Sequence, residues 1–360
     1  TPDMSDTNAS EQIKLLTRAN LSPVAVANLK ALSKTTADNA VLGMTKILVK
    51  STYKVQINSS SLSDDKKTWT GSFVVTNYSN EEALVAYSIL GGIPLYLSLF
   101  DDSISIKENV IKNCLSTTGY LFNEIETLLR MELKETYFYK NIMLAINAGA
   151  STFNSIKDKV DEEAAKVAKY MNVLIHLGFI KKEVPCGEKE KSRNTLYSIC
   201  DNYFAFYFAF IFKHQNMLNG LISPELYYER EFTKERLNSF IGLRFEAMCE
   251  TYLKNQFYNG KMPFFAENLG RWWGNNPVLK KQEEIDLLAI DSKNAVICEC
   301  KYTEVPFDEK ELKDLQDSAL CIKQPNKFFM IFSKNGITSG VRKQIENDSN
   351  YSIITLEDLF

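Results

Sequence analysis

Asp286, Glu299 and Lys301 are the residues whose types and spacing could do chemistry. Two short apolar runs, 285–290 and 295–298, flank the polar stretch Asp291-Ser292-Lys293-Asn294. That pattern reads as a β-hairpin closed by a polar turn. Asp286 falls in the first strand, and Glu299 and Lys301 end the second. Side chains two apart on a strand share a face, so Glu299 and Lys301 are neighbours and Cys300 turns away. Pairing the strands brings Asp286 to both. Two carboxylates and an ammonium on one sheet face are costly in an ordinary core. Around a divalent cation they make sense: carboxylate oxygens ligate a hard ion such as Mg²⁺, and a lysine holds a water or a phosphate oxygen. The plain alternative is a solvated hairpin in which Asp286 caps a turn and Glu299–Lys301 is a surface pair worth less than about 1 kcal/mol.

The elements that must position these groups lie on either side. Residues 235–257 are strongly helical, with Phe240, Leu243, Ala247 and Leu253 as the expected inner face and Glu246 as an acidic residue within it. Downstream, 308–320 reads as a charged amphipathic helix and 327–332 as a buried strand. This Asp…Glu-x-Lys arrangement with its flanking helices resembles the PD-(D/E)xK nuclease-like fold. The resemblance implies that Asp286 and Glu299 ligate a metal, with the carbonyls of Ile297 and Cys298 nearby. It implies that Lys301 orients the attacking water or stabilises charge on phosphate, and that Glu246 assists from the first helix. Activity is a separate matter, because a fold does not imply a function.

At 360 residues the chain has room for two or three domains with their own cores. An apolar content of 45% and a charged content of 24% are those of a water-soluble globular protein. A net charge of −3 supplies no general attraction to nucleic acid, so such binding must come from local patches. The seven cysteines are scattered without a Cys-x-x-Cys pair, which favours reduced thiols in a cytoplasmic protein over disulfides or a zinc site. His176 and His214 are the only histidines, so histidine-dependent chemistry is poorly supported. No signal peptide is expected, and the longest apolar run, 203–212, is too short to span a bilayer. No membrane partner is expected.

Residues 1–80 read as a small α+β module of unknown role, ending in two strands, 47–57 and 68–76, around a polar loop at 58–67. Residues 81–133 are helical, with Gly91 and Gly92 breaking one helix and Pro94 opening the next. Here Tyr87-Ser-Ile-Leu-Gly-Gly-Ile-Pro-Leu-Tyr-Leu97 is similar to the helical lid of archaeal-type AAA+ ATPases of the STAND group. In that family the lid is followed by a winged helix and a C-terminal nuclease-like domain. This chain follows that order, and its Gly270-Arg-Trp-Trp-Gly274 also looks like the family's last domain. The departure is upstream: nothing reads G-x-x-x-x-G-K-[ST] and no Walker B strand end precedes the lid, so no ATP hydrolysis is expected. The chain reads as a family remnant fused to an unrelated module, and a truncated or recombined form of a longer ATPase stays open.

Residues 134–220 read as a winged helix-turn-helix: helices over 137–148, 152–159 and 161–177, then a wing of two strands, 179–184 and 195–199. If the module meets DNA, the third helix offers Lys166 and Lys169 to the major groove, diluted by Asp161, Glu162 and Glu163. The wing tip offers Lys189, Lys191 and Arg193 to phosphates, diluted by Glu188 and Glu190. A packing or protein-contact role is the equal alternative. The aromatic run 201–212 is expected as a buried helix, since that many exposed Phe residues would invite aggregation.

The expected architecture is multidomain α+β, closing with an α/β restriction-endonuclease-like domain over 221–360. Two functions from different classes follow. One is a DNA-associated protein with Mg²⁺-dependent phosphodiester cleavage. The other is a non-enzymatic regulatory or scaffold protein that uses both modules for binding, with DNA or a protein as partner.

Overall fold

The protein is described by a computed structural model covering residues 55–62, 69–75, 78–189, 192 and 194–360. Most of the N-terminal module expected over 1–80 lies outside the described residues, as do Lys191 and Arg193. Within that module β1 (Val55–Leu62) pairs antiparallel with β2 (Trp69–Val75). The first strand runs into the serine stretch expected as loop, because a ladder is made by backbone groups and tolerates polar side chains.

Two compact units follow. The first contains the described residues up to Thr127 together with Asn216–Tyr228. Its α1 (Asn80–Leu90) starts on a capping box, with the Ser79 hydroxyl taking the Glu82 N–H and the Glu82 carboxylate answering the Ser79 N–H. Gly91 ends it at a positive φ. The buried Asn109 organises the turn beyond: its side chain donates to Tyr78 Oη at 2.9 Å and to the Asp101 carbonyl at 2.7 Å, and accepts from the Asp101 N–H at 2.8 Å.

The second unit contains Leu128–Gln215 and Glu229–Phe360. It opens with α2 (Thr136–Asn147), α3 (Phe153–Val160) and α4 (Ala164–His176), then a hairpin of β3 (Ile180–Glu183) and β4 (Leu196–Ile199). Thr152 caps α3 with Ser155, and Val167, Met171 and Leu174 form the buried stripe of α4 as their spacing predicts. The third helix starts at Ala164 rather than at Asp161, which sits left-handed at φ 55° and ends α3. The aromatic run is buried as expected, through α5 (Asn202–Phe206) and a π turn (Tyr207–Ile211).

The rest of this unit is a five-stranded mixed sheet in the order β5-β6-β7-β8-β9. The strands are β5 (Asn268–Asn275), β6 (Gln282–Ile290), β7 (Asn294–Lys301), β8 (Asn326–Ser333) and β9 (Tyr351–Thr355). β5, β6 and β7 are antiparallel; β8 and β9 run parallel to β7. The long α6 (Lys234–Tyr258) precedes the sheet, and α7 (Glu309–Ser318) and α8 (Ser339–Ile345) pack their Leu312, Leu315 and Val341 against Ile285, Leu288, Ile297 and Ile331. The inner face of α6 differs from expectation. Ile241, Phe245, Cys249 and Leu253 are buried at a spacing of four, with Phe240 beside them, while Leu243 is 58% exposed and Ala247 is also exposed. Among the described residues no helix is long and apolar enough to cross a membrane.

One local feature stitches the hairpin to the sheet. The Cys186 N–H donates to the Arg271 carbonyl at 2.8 Å, and its thiol donates to the Leu288 carbonyl at 3.1 Å. Gly187 follows at φ +83°, where an added Cβ would stand 2.8 Å from Ile290 Cδ1. Gly187→Ala combines a left-handed strain with that clash and should cost roughly 1–3 kcal/mol. A chemical-denaturation midpoint unchanged by the substitution would show that the loop is not held this way.

Candidate active site

The sheet opens where the predicted residues stand. The β6–β7 ladder runs from Ile290↔Ala295 to Leu287↔Cys298 and stops, so Asp286 and Glu299 sit where the strands part. Beyond that point β6 stays with β5, and Glu299, Cys300 and Lys301 stay with β8. A bulge adds to the parting. Between Gly270↔Leu288 and Trp272↔Ile285, two residues of β6, Asp286 and Leu287, oppose the single residue Arg271 of β5. Ile285 and Leu288 therefore share one core despite their odd spacing. Bulges beside active sites commonly re-aim a side chain in this way.

Asp286 reaches across the fork: its Oδ2 accepts the Cys300 N–H at 2.8 Å, replacing a ladder bond the backbone no longer makes. Lys301 Nζ lies 2.8 Å from Glu299 Oε1 and 3.9 Å from Glu311 Oε1 on α7. Glu246 comes from α6, with Arg271 Nε 3.9 Å from its Oε2. Arg271 in turn donates through Nη2 to Glu284. The structure thus brings Glu246, Asp286, Glu299 and Lys301 into one electrostatic group.

Burial pushes the Asp286 carboxyl up to about 6, with the negative charge of Glu246 adding to it against the Cys300 N–H and Lys301. Burial likewise raises Glu299 to about 7; Asp286 reinforces this and Lys301 only partly offsets it. Glu246 is raised by burial, with Arg271 opposing and Glu284 and Glu299 adding to the rise. Burial works against the charge on Lys301, yet Glu299, Glu311 and Asp286 hold it above its ordinary value. The carboxylates of Glu246, Asp286, Glu299, Glu284 and Glu311 outnumber the two cations among them, Lys301 and Arg271, an imbalance that a hard divalent cation would relieve. Among the described residues no group of three or more His, Cys, Asp or Glu is arranged to hold a metal ion. A cation at the fork would have two carboxylates to use, those of Asp286 and Glu299, and would need water in its other positions.

The other expected contacts are dispersed. Lys169 and Lys189 are exposed. Lys166 is engaged within the fold: its Nζ lies 2.9 Å from Glu162 Oε1 and 3.5 Å from the centre of the Phe138 ring. Sequence reasoning did not single out Arg271 and Glu311 as site residues. Arg271 lay beside two tryptophans, of which Trp272 packs on the core and Trp273 Nε1 donates to Asn194 Oδ1 at 2.8 Å. Its place at the bulge has no sequence signal. For Glu311, its position just before the buried Leu312 on an amphipathic helix was the available hint.

Residues 207–315 match the family DUF234. It is described as "Archaea bacterial proteins of unknown function", and the DUF234 match spans Glu246, Arg271, Asp286, Glu299, Lys301 and Glu311. The chain is 30% identical over 236 residues to the uncharacterized protein MJECL04 of Methanocaldococcus jannaschii, covering 65% of this chain and 49% of that protein. The chain thus spans about half the length of this curated relative. No solved structure matches the chain.

Proposed function

We propose that the DUF234 region forms a PD-(D/E)xK-type nuclease domain that cleaves phosphodiesters with Mg²⁺ in a DNA-associated protein. The observation carrying this reading is the convergence of Asp286, Glu299, Lys301 and Glu246 at the fork between β6 and β7. Asp286 and Glu299 hold the cation. Mg²⁺, when bound, supplies Lewis acidity to the phosphate and a more acidic water. Lys301 donates to a phosphate oxygen or positions the attacking water, and Glu311, 3.9 Å away, keeps the ammonium charged and oriented. Glu246 steadies Arg271 beside the site. The three helices and hairpin over 136–199 act as a winged helix that contacts DNA through exposed Lys169 and Lys189. No ATP hydrolysis is assigned to these residues, which contain no P-loop sequence.

The test is a cleavage assay on plasmid and single-stranded DNA with Mg²⁺ or Mn²⁺, comparing the natural chain with Lys301→Ala. Metal-dependent cleavage that disappears in the variant supports the proposal; cleavage that survives in full removes Lys301 from the site. A second reading keeps both modules for binding alone, in a regulatory or scaffold protein. It draws on Lys166, which is committed to Glu162 and Phe138, and on the Lys301–Glu299 pair at 2.8 Å. A folded protein that binds Mg²⁺ without cleaving either substrate would favour it.

Cation binding should also depend on pH in a defined direction. The folded-state values of Asp286 and Glu299, about 6 and about 7, lie above the ordinary 3.8 and 4.5. In the metal-free chain these groups contribute stability at low pH that is lost as pH rises through 6 to 7. A cation takes the deprotonated form, so its stabilising effect grows over the same interval. Melting curves with and without Mg²⁺ should separate more at pH 8 than at pH 5, about one unit outside that interval on either side. Equal separation at both would exclude these carboxylates as ligands.

A further inference from the structure

A cavity of about 420 Å³ lies between the β3–β4 hairpin and the α6 face that carries Leu243 and Ala247. This accounts for an apolar pair left uncovered on a long helix: the two residues are walls of a cavity, together with Leu196 of β4. Two guanidiniums also line it. Arg244 rests on the Phe240 ring, 4.5 Å from its centre, and has no hydrogen-bond or carboxylate partner among the described residues. Burial lowers it to about 10, with Glu246 opposing, so it remains charged at neutral pH. Arg271 gives Nη2 to Glu284, but its buried Nε finds no acceptor, and Glu246 at 3.9 Å is beyond hydrogen-bond range.

The acidic groups of the wall are mostly spent. Glu183 is paired with Lys181 at 2.7 Å, Glu250 with Lys254 at 2.7 Å, and Glu284 with Arg271. Glu246 is left: burial raises its carboxyl and Arg271 opposes, with Nε 3.9 Å from Oε2. The cavity therefore presents one unpartnered guanidinium, the edge of a second that is held by Glu284, and apolar walls. Planar guanidinium forks match phosphate oxygens in pairs. A phosphate group alone would leave most of this space empty, and the volume is that of a small-molecule site.

We infer that this cavity binds a small organic phosphate of about mononucleotide size, with the phosphomonoester on Arg244 and Arg271 and the organic body against Leu243, Ala247 and Leu196. Asn147 lines the same space, as does Ser198, whose hydroxyl donates to Glu183 Oε2 at 3.1 Å and keeps its oxygen as an acceptor for the polar edge of such a body. The site adjoins the carboxylate fork and shares Glu246, Arg271, Glu284 and Leu287 with its surroundings.

The test is calorimetric titration of the full chain with adenosine 5′-monophosphate and, separately, with inorganic phosphate, both in chelator-containing buffer. The nucleotide should bind, and inorganic phosphate should bind more weakly. Arg244→Ala should weaken nucleotide binding by about tenfold or more, the loss expected of a charge-assisted pair. Leu243→Trp should block it while leaving the melting temperature in place, since residue 243 already projects from the helix surface. Lys301→Ala should retain binding while losing any Mg²⁺-dependent cleavage, so the failure of either idea is visible without the other. No binding by the natural chain at millimolar nucleotide, or affinity unchanged in both Arg244→Ala and Leu243→Trp, would overturn the inference.

Discussion

Asp286→Asn should yield a folded protein whose Mg²⁺-dependent cleavage falls by about 10³-fold or more, the scale of losing a group that meets charge in the transition state. The substitution is chosen to separate chemistry from folding. An asparagine keeps a carbonyl oxygen for the Cys300 N–H, the contact that ties the parted strands together. It removes a charge that burial and Glu246 both oppose. Above pH 6, where the parent carboxyl is charged in the folded state, the variant should therefore melt no lower than the parent. Measured together, cleavage rate and melting temperature at pH 8 decide the matter. Lost cleavage with an intact melt places Asp286 in the chemistry, whereas full cleavage refutes the ligand assignment. A collapse of both would mean that the residue serves the fold.

The largest effect on stability should come from Phe206→Ala, at about 3–5 kcal/mol. Phe206 is fully buried, and its ring centre lies 5.2 Å from Phe210, 5.8 Å from Phe232 and 5.9 Å from Phe240. Those partners belong to the π turn, the segment before α6, and α6 itself. The truncation therefore opens a cavity at the joint between the helical layer and the helix that carries Glu246. Denaturant unfolding should show a lower midpoint with an unchanged slope. A loss below about 1 kcal/mol would mean that neighbouring rings collapse into the space or that the joint is loosely packed.

The hairpin of β6 and β7 could be read directly from its apolar runs and polar turn, because strand alternation and turn chemistry are local properties. The stripe of α4 was equally plain, and Asp286, Glu299 and Lys301 stood out as charges interrupting apolar strands. The inner face of α6 was legible only in part: Phe240 and Leu253 are buried, Leu243 and Ala247 are not. Apolar periodicity records which side chains avoid water, and it cannot separate Leu253, which is fully buried, from Leu243, which walls a cavity. Arg271 and Glu311 enter the site from elements far along the chain, so no spacing rule links them to Lys301. The bulge was silent too, since the residues that form it are ordinary strand residues.

That bulge bears on how the chain tolerates insertions and deletions. The extra residue at Asp286–Leu287 shifts the phase of β6, so residues before and after it obey opposite parities. Excising one residue there would restore a regular ladder with Ile285 and Leu288 two apart on one face, so the core would keep its phase. The loss would fall instead on the parting of the strands, where Asp286 now reaches the Cys300 N–H. The apolar phase of β6 thus does not need the extra residue, which stands where the carboxylate stands.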